Sequence, residues 1–248
     1  DETQDQYFGQ PYWTPDGKAL WVQWMNRDQN HFVLYSVSPA DGSKRPVYEE
    51  SQDTWLEWIQ EPVFTSGGLL MVRDFEKWQQ VYLCSWDGSR IQRLTMGNNW
   101  GISILAFDEK TQMLYYTARC ENSTRTGVYA VACSEKAIAA GQNTPQRLTP
   151  AGYNFTNVQF SPDFKHFTAH YSNVNTPTAS ALYSVQKGLL RILGDSKGPT
   201  LDKAMAGGLV PVTEVLFMST EDGFTIPAVV TWPLHMEKDK KYPAIISI

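Results

Sequence analysis

The sequence predicts an all-β fold built from four-stranded propeller blades, and three observations support this class. The chain of 248 residues is 13% aromatic, and strands are enriched in aromatic residues because flat rings pack well on pleated surfaces. An aromatic residue followed by turn residues recurs about every 50 residues, which is close to the repeat length of a propeller blade. Alternating apolar positions such as Leu20, Val22 and Trp24 share one face, as in a half-buried strand.

The repeat keeps the same order in four copies along the chain. Its anchoring aromatic residues are Trp13, Phe64, Phe107 and Phe160. Each is followed by a turn, a second strand, a third strand that contains tyrosine, and a short fourth strand. A β-sandwich would not repeat this order four times, so we assign the four repeats to four propeller blades. We expect the four aromatic side chains to be buried at equivalent positions, where truncating one would cost roughly 3–5 kcal/mol.

The repeat also divides the chain into three parts. Residues 1–195 are predicted to form the four blades, at about 10–50, 60–96, 102–150 and 155–194. Residues 196–211 are predicted to be a linker with a short helix at 201–206, capped by Thr200. Residues 212–248 begin another domain. Its last run, 244–248, is apolar and β-branched like a strand buried in a parallel sheet, so we expect the sequence to stop inside a domain, as a fragment would.

Composition excludes several classes of partner. The formal net charge is -5, so the chain has no electrostatic reason to bind nucleic acid or an anionic membrane. No apolar run reaches the roughly 18 residues that a membrane helix needs, so we predict no membrane segment. Cys84, Cys120 and Cys133 are too few for a disulfide scaffold, and we expect all three to be thiols.

The sequence has no motif from which a catalytic residue can be assigned. It has no Gly-x-Ser-x-Gly elbow, phosphate loop, dinucleotide fingerprint or Cys-x-x-Cys pair, so we predict no cofactor. His166 and His170 have the spacing of a helical zinc pair, but they lie in a predicted strand, where four residues span roughly 13 Å. A single metal with bonds of about 2.1 Å cannot join them, and we predict no metal site.

Two groups of residues are candidates for substrate binding. Glu49 and Glu50 could hold an ammonium group by charge-assisted hydrogen bonds, although we favour a solvated edge at the end of a fourth strand. Trp55, Glu57 and Trp58 lie in the loop between the first and second repeats. Loops between blades open onto one face of a propeller, where tryptophan side chains can line a pocket. Packing between blades is the alternative role for these two tryptophans.

Several segments resemble the dipeptidyl peptidase IV family of serine peptidases. Residues 23–30 (Gln-Trp-Met-Asn-Arg-Asp-Gln-Asn) and 61–65 (Glu-Pro-Val-Phe-Thr) resemble parts of two successive propeller blades of that family. Residues 160–165 and 171–173 are similar to its last blade. Residues 217–243 are similar to the crossing from the propeller into the α/β-hydrolase domain. The resemblance follows the family's order along essentially the whole chain.

The resemblance implies that these blades are part of an eight-bladed propeller and that residues 212–248 are the truncated start of an α/β-hydrolase domain. Members of the family remove N-terminal dipeptides, or in relatives tripeptides, after proline by means of a Ser, Asp, His triad, which would lie beyond Ile248. Peptides with proline at the second position are the implied partners, and the periplasm or the cell surface is the implied location. Glu57 and Trp58 match a loop that faces the family's active site, whereas Glu49 and Glu50 do not occupy the place of its amine-binding pair.

Two other functions remain open at this point. The chain could be a propeller that only binds protein or glycan partners, although the exit segment after residue 211 argues against this. It could also belong to another enzyme of the prolyl oligopeptidase group, such as an acylaminoacyl peptidase. Half a propeller would expose a blade face at each end, and two copies could cover these faces for each other, so a homodimer is a further expectation.

Overall fold

The structure is a computed structural model that describes residues 5–247. Residues 1–4 of the first predicted domain and Ile248 of the predicted last strand lie outside the described residues. The described part of the chain forms five antiparallel sheets and two short helices, which confirms the all-β prediction. No helix in residues 5–247 is long and apolar enough to cross a membrane.

Four of the sheets are meanders in which successive strands are neighbours, except that the first two strands of the first sheet both pair with its third strand. The first contains β1 (Gln6–Phe8), β2 (Tyr12–Trp13), β3 (Leu20–Asn26), β4 (His31–Val37) and β5 (Lys44–Ser51). The second contains β6 (Val63–Thr65), β7 (Gly68–Glu76), β8 (Trp78–Ser85) and β9 (Ile91–Arg93). The third contains β10 (Ser103–Asp108), β11 (Met113–Ala118), β12 (Gly127–Ala132) and β13 (Gln146–Arg147), and the fourth β14 (Asn154–Phe160), β15 (His166–Asn173), β16 (Thr176–Ser184) and β17 (Gly188–Asp195).

The remaining elements are a hairpin and two helices. The hairpin joins β18 (Thr213–Ser219) to β19 (Thr225–Thr231) as a separate two-stranded sheet. Helix α1 (Glu135–Ala139) lies in the connection between β12 and β13, and helix α2 (Pro199–Ala206) follows the fourth sheet. In the turn of this hairpin the hydroxyl of Thr220 donates to the carboxylate of Asp222. The turn between β14 and β15 has the same kind of hydrogen bond, from the hydroxyl of Ser161 to the carboxylate of Asp163.

The first strand of the first sheet is split into two pieces. β1 and β2 both pair with β3, and residues 9–11 separate them. Pro11 lacks a backbone N–H and cannot donate to the ladder, which accounts for the interruption. The sheet therefore begins at Gln6, a few residues before the expected start of about 10.

The chain divides into two compact units. Among the described residues, the first comprises those up to 120 and 128–148, and the second comprises 121–127 and those from 149 onward. In the first unit, one buried cluster joins the first two sheets through Met25, Phe32 and Leu69. A second cluster joins the second and third sheets through Val81 and Tyr116. Burial of such side chains contributes about 1.5–3 kcal/mol each, so these two clusters hold the three sheets together.

The core of the second unit is aromatic. Phe167 and Tyr183 face each other across β15 and β16 with ring centroids 5.0 Å apart, and Phe155 on β14 packs on the edge of Tyr183. β17 is the outermost strand of this sheet, and its leucine and isoleucine side chains are exposed. The β18–β19 hairpin is also exposed over most of its length.

The four repeated aromatic residues occupy equivalent positions but are not buried. Each sits at or next to the end of a first strand and pairs with the start of the second; the pairs are Trp13 with Leu20, Phe64 with Leu69, Phe107 with Leu114, and Phe160 with Phe167. Trp13 is 56% exposed and the other three aromatic residues are half-buried. The expectation of burial was wrong because these residues lie beside a turn on an edge strand, with a strand on one side only. In three of the four pairs the partner on the second strand is buried, namely Leu69, Leu114 and Phe167, whereas Leu20 is half-buried.

Two local expectations were also wrong. Thr200 does not cap α2, because the helix begins two residues earlier, with Gly198 as N-cap and Pro199 as the first residue. The first position suits proline, since its missing N–H would be unpaired there anyway. The run at 244–247 does not form a strand. Ile245 is 98% exposed, and without a neighbouring strand the backbone of such a run has no ladder to join.

Candidate functional site

The loop between β5 and β6 is the segment that carries Trp55, Glu57 and Trp58. Its backbone is tied to the first sheet, because the N–H of Leu56 donates to the carbonyl of Gln29 over 2.8 Å. Leu56 and Ile59 point inward and are almost completely buried. These two anchors leave the side chains of Trp55 and Glu57 on the outer side of the loop, where both are exposed.

A buried glutamine fixes the second half of this loop. The amide Nε2 of Gln23 donates to the carbonyls of Ile59 and Gln10, both over 3.1 Å, and its Oε1 accepts from the N–H of Ile59 over 2.8 Å. The hydroxyl of Tyr12 donates to the same Ile59 carbonyl, and burial raises the pKa of Tyr12. Gln23 is 1% exposed, so its amide is a fully used internal link between β3 and the loop.

Trp58 is held in place by the first sheet. Its indole edge meets the ring of Phe32 with centroids 6.0 Å apart. On another side the indole lies against Gly9, where an added Cβ would be only 2.7 Å from Cε3 of Trp58. Glycine at position 9 is therefore required by this close approach. Trp58 therefore packs against the first sheet. It also borders a cavity, so it has both of the placements that the sequence left open, packing beside a blade and lining a pocket.

All three sequence-predicted residues line one cavity of about 600 Å³. Trp55 is 63% exposed at its mouth. Residues 72–74 on β7, Gln79 on β8, and Trp100 and Ile102 also line it. Every lining residue belongs to the first unit. The volume is in the range of small-molecule and peptide side-chain pockets, and the lining combines three indoles with charged groups.

Arg73, which lines this cavity, forms a buried ion pair with Glu50. Nε of Arg73 lies 3.0 Å from Oε2 of Glu50, and the two side chains are only 4% and 8% exposed. The hydroxyl of Tyr48 donates to the same carboxylate oxygen, and burial raises the pKa of Tyr48. The guanidinium also lies 5.0 Å from the ring centroid of Phe32, the ring on which Trp58 packs. Within the described residues neither Nε nor Nη2 of Arg73 makes a well-aligned hydrogen bond, so Nε meets Glu50 as an ion pair.

Glu49 and Glu50 do not act as a carboxylate pair. They are neighbours on β5 and therefore project from opposite faces of the sheet. Glu49 is exposed and contacts Nε2 of His31 over 2.8 Å, whereas Glu50 is buried against Arg73. The solvated edge that we favoured from the sequence holds for Glu49 and is wrong for Glu50, because a cation on the neighbouring sheet allows this carboxylate to be buried.

Sequence reasoning missed the polar and aromatic lining residues that lie outside this loop: Arg73, Asp74, Gln79 and Trp100. The order of strands within a blade could have indicated these residues. In an antiparallel meander the hairpin between the second and third strands lies at the same end of the blade as the loops between blades. Asp74 and Gln79 flank such a hairpin, and Trp100 lies in the next loop between sheets, so all of them must reach the end where Trp55 lies.

A second cavity, of about 630 Å³, lies at the other end of the same sheets. Its walls include Trp21, Phe64 and Trp86, which pack as one aromatic cluster with Phe64 stacked on Trp86. Its polar groups are already used, since Nε1 of Trp86 donates to the carbonyl of Ser66 and Glu109 accepts from the N–H and hydroxyl of Ser66. Although this cavity is slightly larger than the one beside Trp55, fewer of its polar groups are free to bind a ligand.

The other reactive groups are spread through the chain. His166 and His170 both lie on β15, the strand placement that the sequence predicted. No group of three or more histidine, cysteine or acidic side chains that could hold a metal occurs in residues 5–247. The three cysteines are thiols, as expected. Burial raises the pKa of Cys84 to about 11 and that of Cys133 to about 12, which keeps both thiols protonated and unreactive near neutral pH.

Comparison with known proteins relates most of the chain to one family. The family model described as "Dipeptidyl peptidase IV (DPP IV) N-terminal region" matches residues 1–178. The crystal structure of Porphyromonas gingivalis dipeptidyl peptidase 4 is similar with a TM-score of 0.81 and 22% sequence identity, over 96% of this chain and 33% of that chain. A putative dipeptidyl aminopeptidase IV from Bacteroides ovatus is similar with a TM-score of 0.80 and 21% identity, over 96% of this chain and 36% of that chain.

Sequence comparison with curated proteins also finds proteins named as dipeptidyl peptidases. Dipeptidyl peptidase 4 of Trichophyton rubrum is 20% identical over 250 residues, which cover 98% of this chain and 31% of that protein. Inactive dipeptidyl peptidase 10 of Mus musculus is 24% identical over 191 residues, which cover 72% of this chain and 24% of that protein. The chain thus spans between a quarter and a third of the length of these relatives.

Proposed function

Because this chain belongs to the dipeptidyl peptidase IV N-terminal region family, we propose that it is the propeller part of a longer serine peptidase that removes N-terminal dipeptides, or tripeptides, after proline. The bond-making groups would lie outside this chain, whose sequence contains no nucleophile elbow. In the complete protein a serine activated by histidine would attack the carbonyl after proline, and fixed donors would hold the oxyanion.

In this proposal the present chain supplies walls, access and orientation. The observation that carries this role is the convergence of Trp55, Glu57 and Trp58 on one cavity at the end of the blades where the loops between sheets open. Gln23 and Gly9 hold the loop in one conformation, so the cavity is formed before a ligand arrives. A pre-formed wall places a peptide without the entropy cost of ordering the loop.

A chromogenic Gly-Pro substrate tests the peptidase proposal. The 248-residue chain is expected to give no turnover above a heat-treated control, whereas the complete protein is expected to release the chromophore. The control substrate is Gly-Gly, which lacks proline and should be cleaved far more slowly. Turnover by the 248-residue chain alone, in a preparation free of host peptidase, would contradict the assignment of a non-catalytic role.

A second candidate function is a propeller that binds partners without catalysis. It is favoured by the relationship to a mouse relative named as inactive, which is 24% identical to this chain. The same assay separates the two candidates, because a complete protein of this second class would be folded and monodisperse yet would not cleave Gly-Pro substrates at any concentration.

We also propose an extracytoplasmic location and pairing of two copies. Pairing is supported by β17, an outermost strand that exposes Leu189, Leu190, Ile192 and Leu193, because exposed apolar edge strands recruit other chains. Light scattering at tens of micromolar tests this proposal. A dimer that becomes a monomer when Leu190 and Ile192 are replaced by lysine supports it, and a monomeric parent protein rejects it.

A further inference from the structure

The loop between β9 and β10 contributes a further indole to the cavity beside Trp55. Trp100 and Ile102 of this loop line the cavity, and Trp100 is 46% exposed. A side chain that is exposed to this extent keeps part of its rotamer freedom, because packing covers only part of it. The place of this indole therefore depends on how firmly the backbone of residues 99–102 is held.

Asn99 is the buried centre of this loop. It is 1% exposed, and its Nδ2 donates to Oε1 of Gln80 over 2.9 Å and to the carbonyl of Met96 over 3.1 Å. Its Oδ1 accepts from the thiol of Cys120 over 3.0 Å. A side-chain amide has two donors and one acceptor oxygen, so each of these groups has a partner. Asn99 thus joins its own loop to β8 and to the chain directly after β11, all within the first unit.

Gln80 extends this network into the core. It is 4% exposed, and its Nε2 donates to the carbonyl of Gly97 over 2.7 Å. Its Oε1 also accepts from the hydroxyl of Thr95 over 2.7 Å, and that hydroxyl accepts from the N–H of Val81 over 2.9 Å. A buried network of this kind holds one geometry, because any rearrangement would leave a buried polar group without a partner.

The backbone on both sides of Trp100 is tied to neighbouring strands. Before it, the carbonyl of Asn99 accepts from the N–H of Gln79 over 3.0 Å. After it, the N–H of Ile102 donates to Oε1 of Gln79 over 3.1 Å. The carbonyl of Trp100 itself accepts from the N–H of Arg119 over 2.8 Å. The half-exposed indole is therefore carried by a backbone that is fixed at three successive points.

We propose that Asn99 is a positioning residue, which holds Trp100 at the cavity so that its indole selects substrates with an aromatic side chain at the first position. Aromatic rings attract each other in offset or edge-to-face contact, and a wall that is held before binding does not have to be ordered by the ligand. Asn99 is not one of the described residues that line the cavity, so it acts through Trp100. The selection of substrate rests on the proposed function, whereas the placement of Trp100 is a property of this chain.

Fluorine NMR of the full 248-residue chain, labelled with fluorotryptophan, tests the placement without any enzyme assay. The resonance of Trp100 is the one that disappears in Trp100→Phe. Asn99→Ala should shift and broaden this resonance, whereas the resonance of Trp86, at the other cavity, should stay in place. The matched control Asn98→Ala changes the exposed neighbour and should leave both resonances as in the parent. An unchanged Trp100 resonance in folded Asn99→Ala overturns the proposal.

A milder pair of variants decides the same point if Asn99→Ala does not fold. Cys120→Ala removes the thiol that donates to Asn99, whereas Cys120→Ser keeps a donor at this position. Cys120→Ala should shift the resonance of Trp100, and Cys120→Ser should return it toward the parent position. Urea midpoints show that both variants are folded. Equal shifts in the two variants, or no shift in either, overturn the proposal.

Kinetics of the complete protein test the selection of substrate. The KM for a Tyr-Pro chromogenic substrate divided by that for Gly-Pro should rise about fivefold in Trp100→Ala and in Asn99→Ala, as expected for the loss of one aromatic contact. The double variant should show no larger ratio than Trp100→Ala alone, because Asn99 acts through that indole. Additive ratios, or an equal fall of kcat for both substrates, would make Asn99 a merely structural residue and overturn the proposal. Absence of turnover in the parent protein contradicts the proposed function and with it the selection of substrate, whereas the NMR result still decides the placement of Trp100.

Discussion

Nε of Arg73 on β7 lies 3.0 Å from Oε2 of Glu50 on β5, and this ion pair joins the second strand of one sheet to the last strand of its neighbour. Both side chains are almost completely buried. The hydroxyl of Tyr48 donates to the same carboxylate, and the ring of Phe32 lies over the guanidinium. The pair therefore links the core of the first two sheets to the wall of the cavity that contains Trp58.

Breaking this ion pair should destabilise the fold strongly. Glu50→Gln leaves the guanidinium of Arg73 buried without its counterion, and such losses cost about 3–5 kcal/mol. Urea denaturation measures the change in the free energy of unfolding. The control Glu49→Gln, which removes the exposed partner of His31, should cost less than about 1 kcal/mol. If the two substitutions cost the same, the buried pair does not link the sheets as described.

Loss of the Gln23 amide should release the loop that carries Trp58. Gln23→Leu removes three hydrogen bonds and leaves the N–H of Ile59 buried without an acceptor, which should cost roughly 2–3 kcal/mol. Hydrogen exchange at the Ile59 amide should become faster at the same time. Gln60→Leu, an exposed position in the same loop, is the control. Unchanged protection of Ile59 in Gln23→Leu would show that other contacts fix the loop.

A methyl group at position 9 should displace Trp58. The Cβ of Gly9→Ala would lie 2.7 Å from Cε3 of the indole, and overpacking of this kind costs typically 1–3 kcal/mol. Adding Trp58→Leu should recover part of the loss by removing the ring. The control Gly194→Ala meets no atom within 4 Å and should leave the urea midpoint unchanged. A neutral effect of Gly9→Ala would contradict the close packing described for this tryptophan.

The buried thiols should make stability fall at alkaline pH. The folded-state pKa values of Cys84 and Cys133 are raised by burial to about 11 and about 12, above the unfolded value of about 8.5. Their contribution is complete below the unfolded value and is lost as pH rises toward the folded values, by at most about 1.4 kcal/mol per pH unit for each thiol. Cys84→Ala with Cys133→Ala should therefore flatten the fall in unfolding free energy between about pH 9 and pH 11. Parallel curves for parent and variant would contradict the raised pKa values.

The sequence could predict the repeat and its strands because period-two alternation and turn residues are local signals. It could not predict that Trp13 is exposed, since burial depends on which neighbouring strands cover a side chain, and Trp13 lies beside a turn. Helix α1 was missed because five residues carry too little periodicity to be recognised. The run at 244–247 has strand composition, but a strand also needs a partner, which composition does not report.

The candidate site was predictable only in part. Trp55, Glu57 and Trp58 lie within one short loop between blades, so the sequence alone placed them near one another. Arg73 and Trp100 come from other elements, and only the packing of two sheets brings them to the same cavity. The adjacent residues Glu49 and Glu50 show the converse, because alternation along β5 separates two side chains that are neighbours in sequence.

The central claim is that substrate meets the cavity beside Trp55 and not the cavity beside Trp86. Steady-state kinetics of the complete protein with Tyr-Pro and Gly-Pro chromogenic substrates test it most directly. Trp55→Ala should raise KM several-fold for Tyr-Pro with kcat little changed, because it removes an exposed wall and no reacting group. Trp86→Ala, at the other end of the sheets, should change neither constant. A raised KM in Trp86→Ala with none in Trp55→Ala would contradict the account.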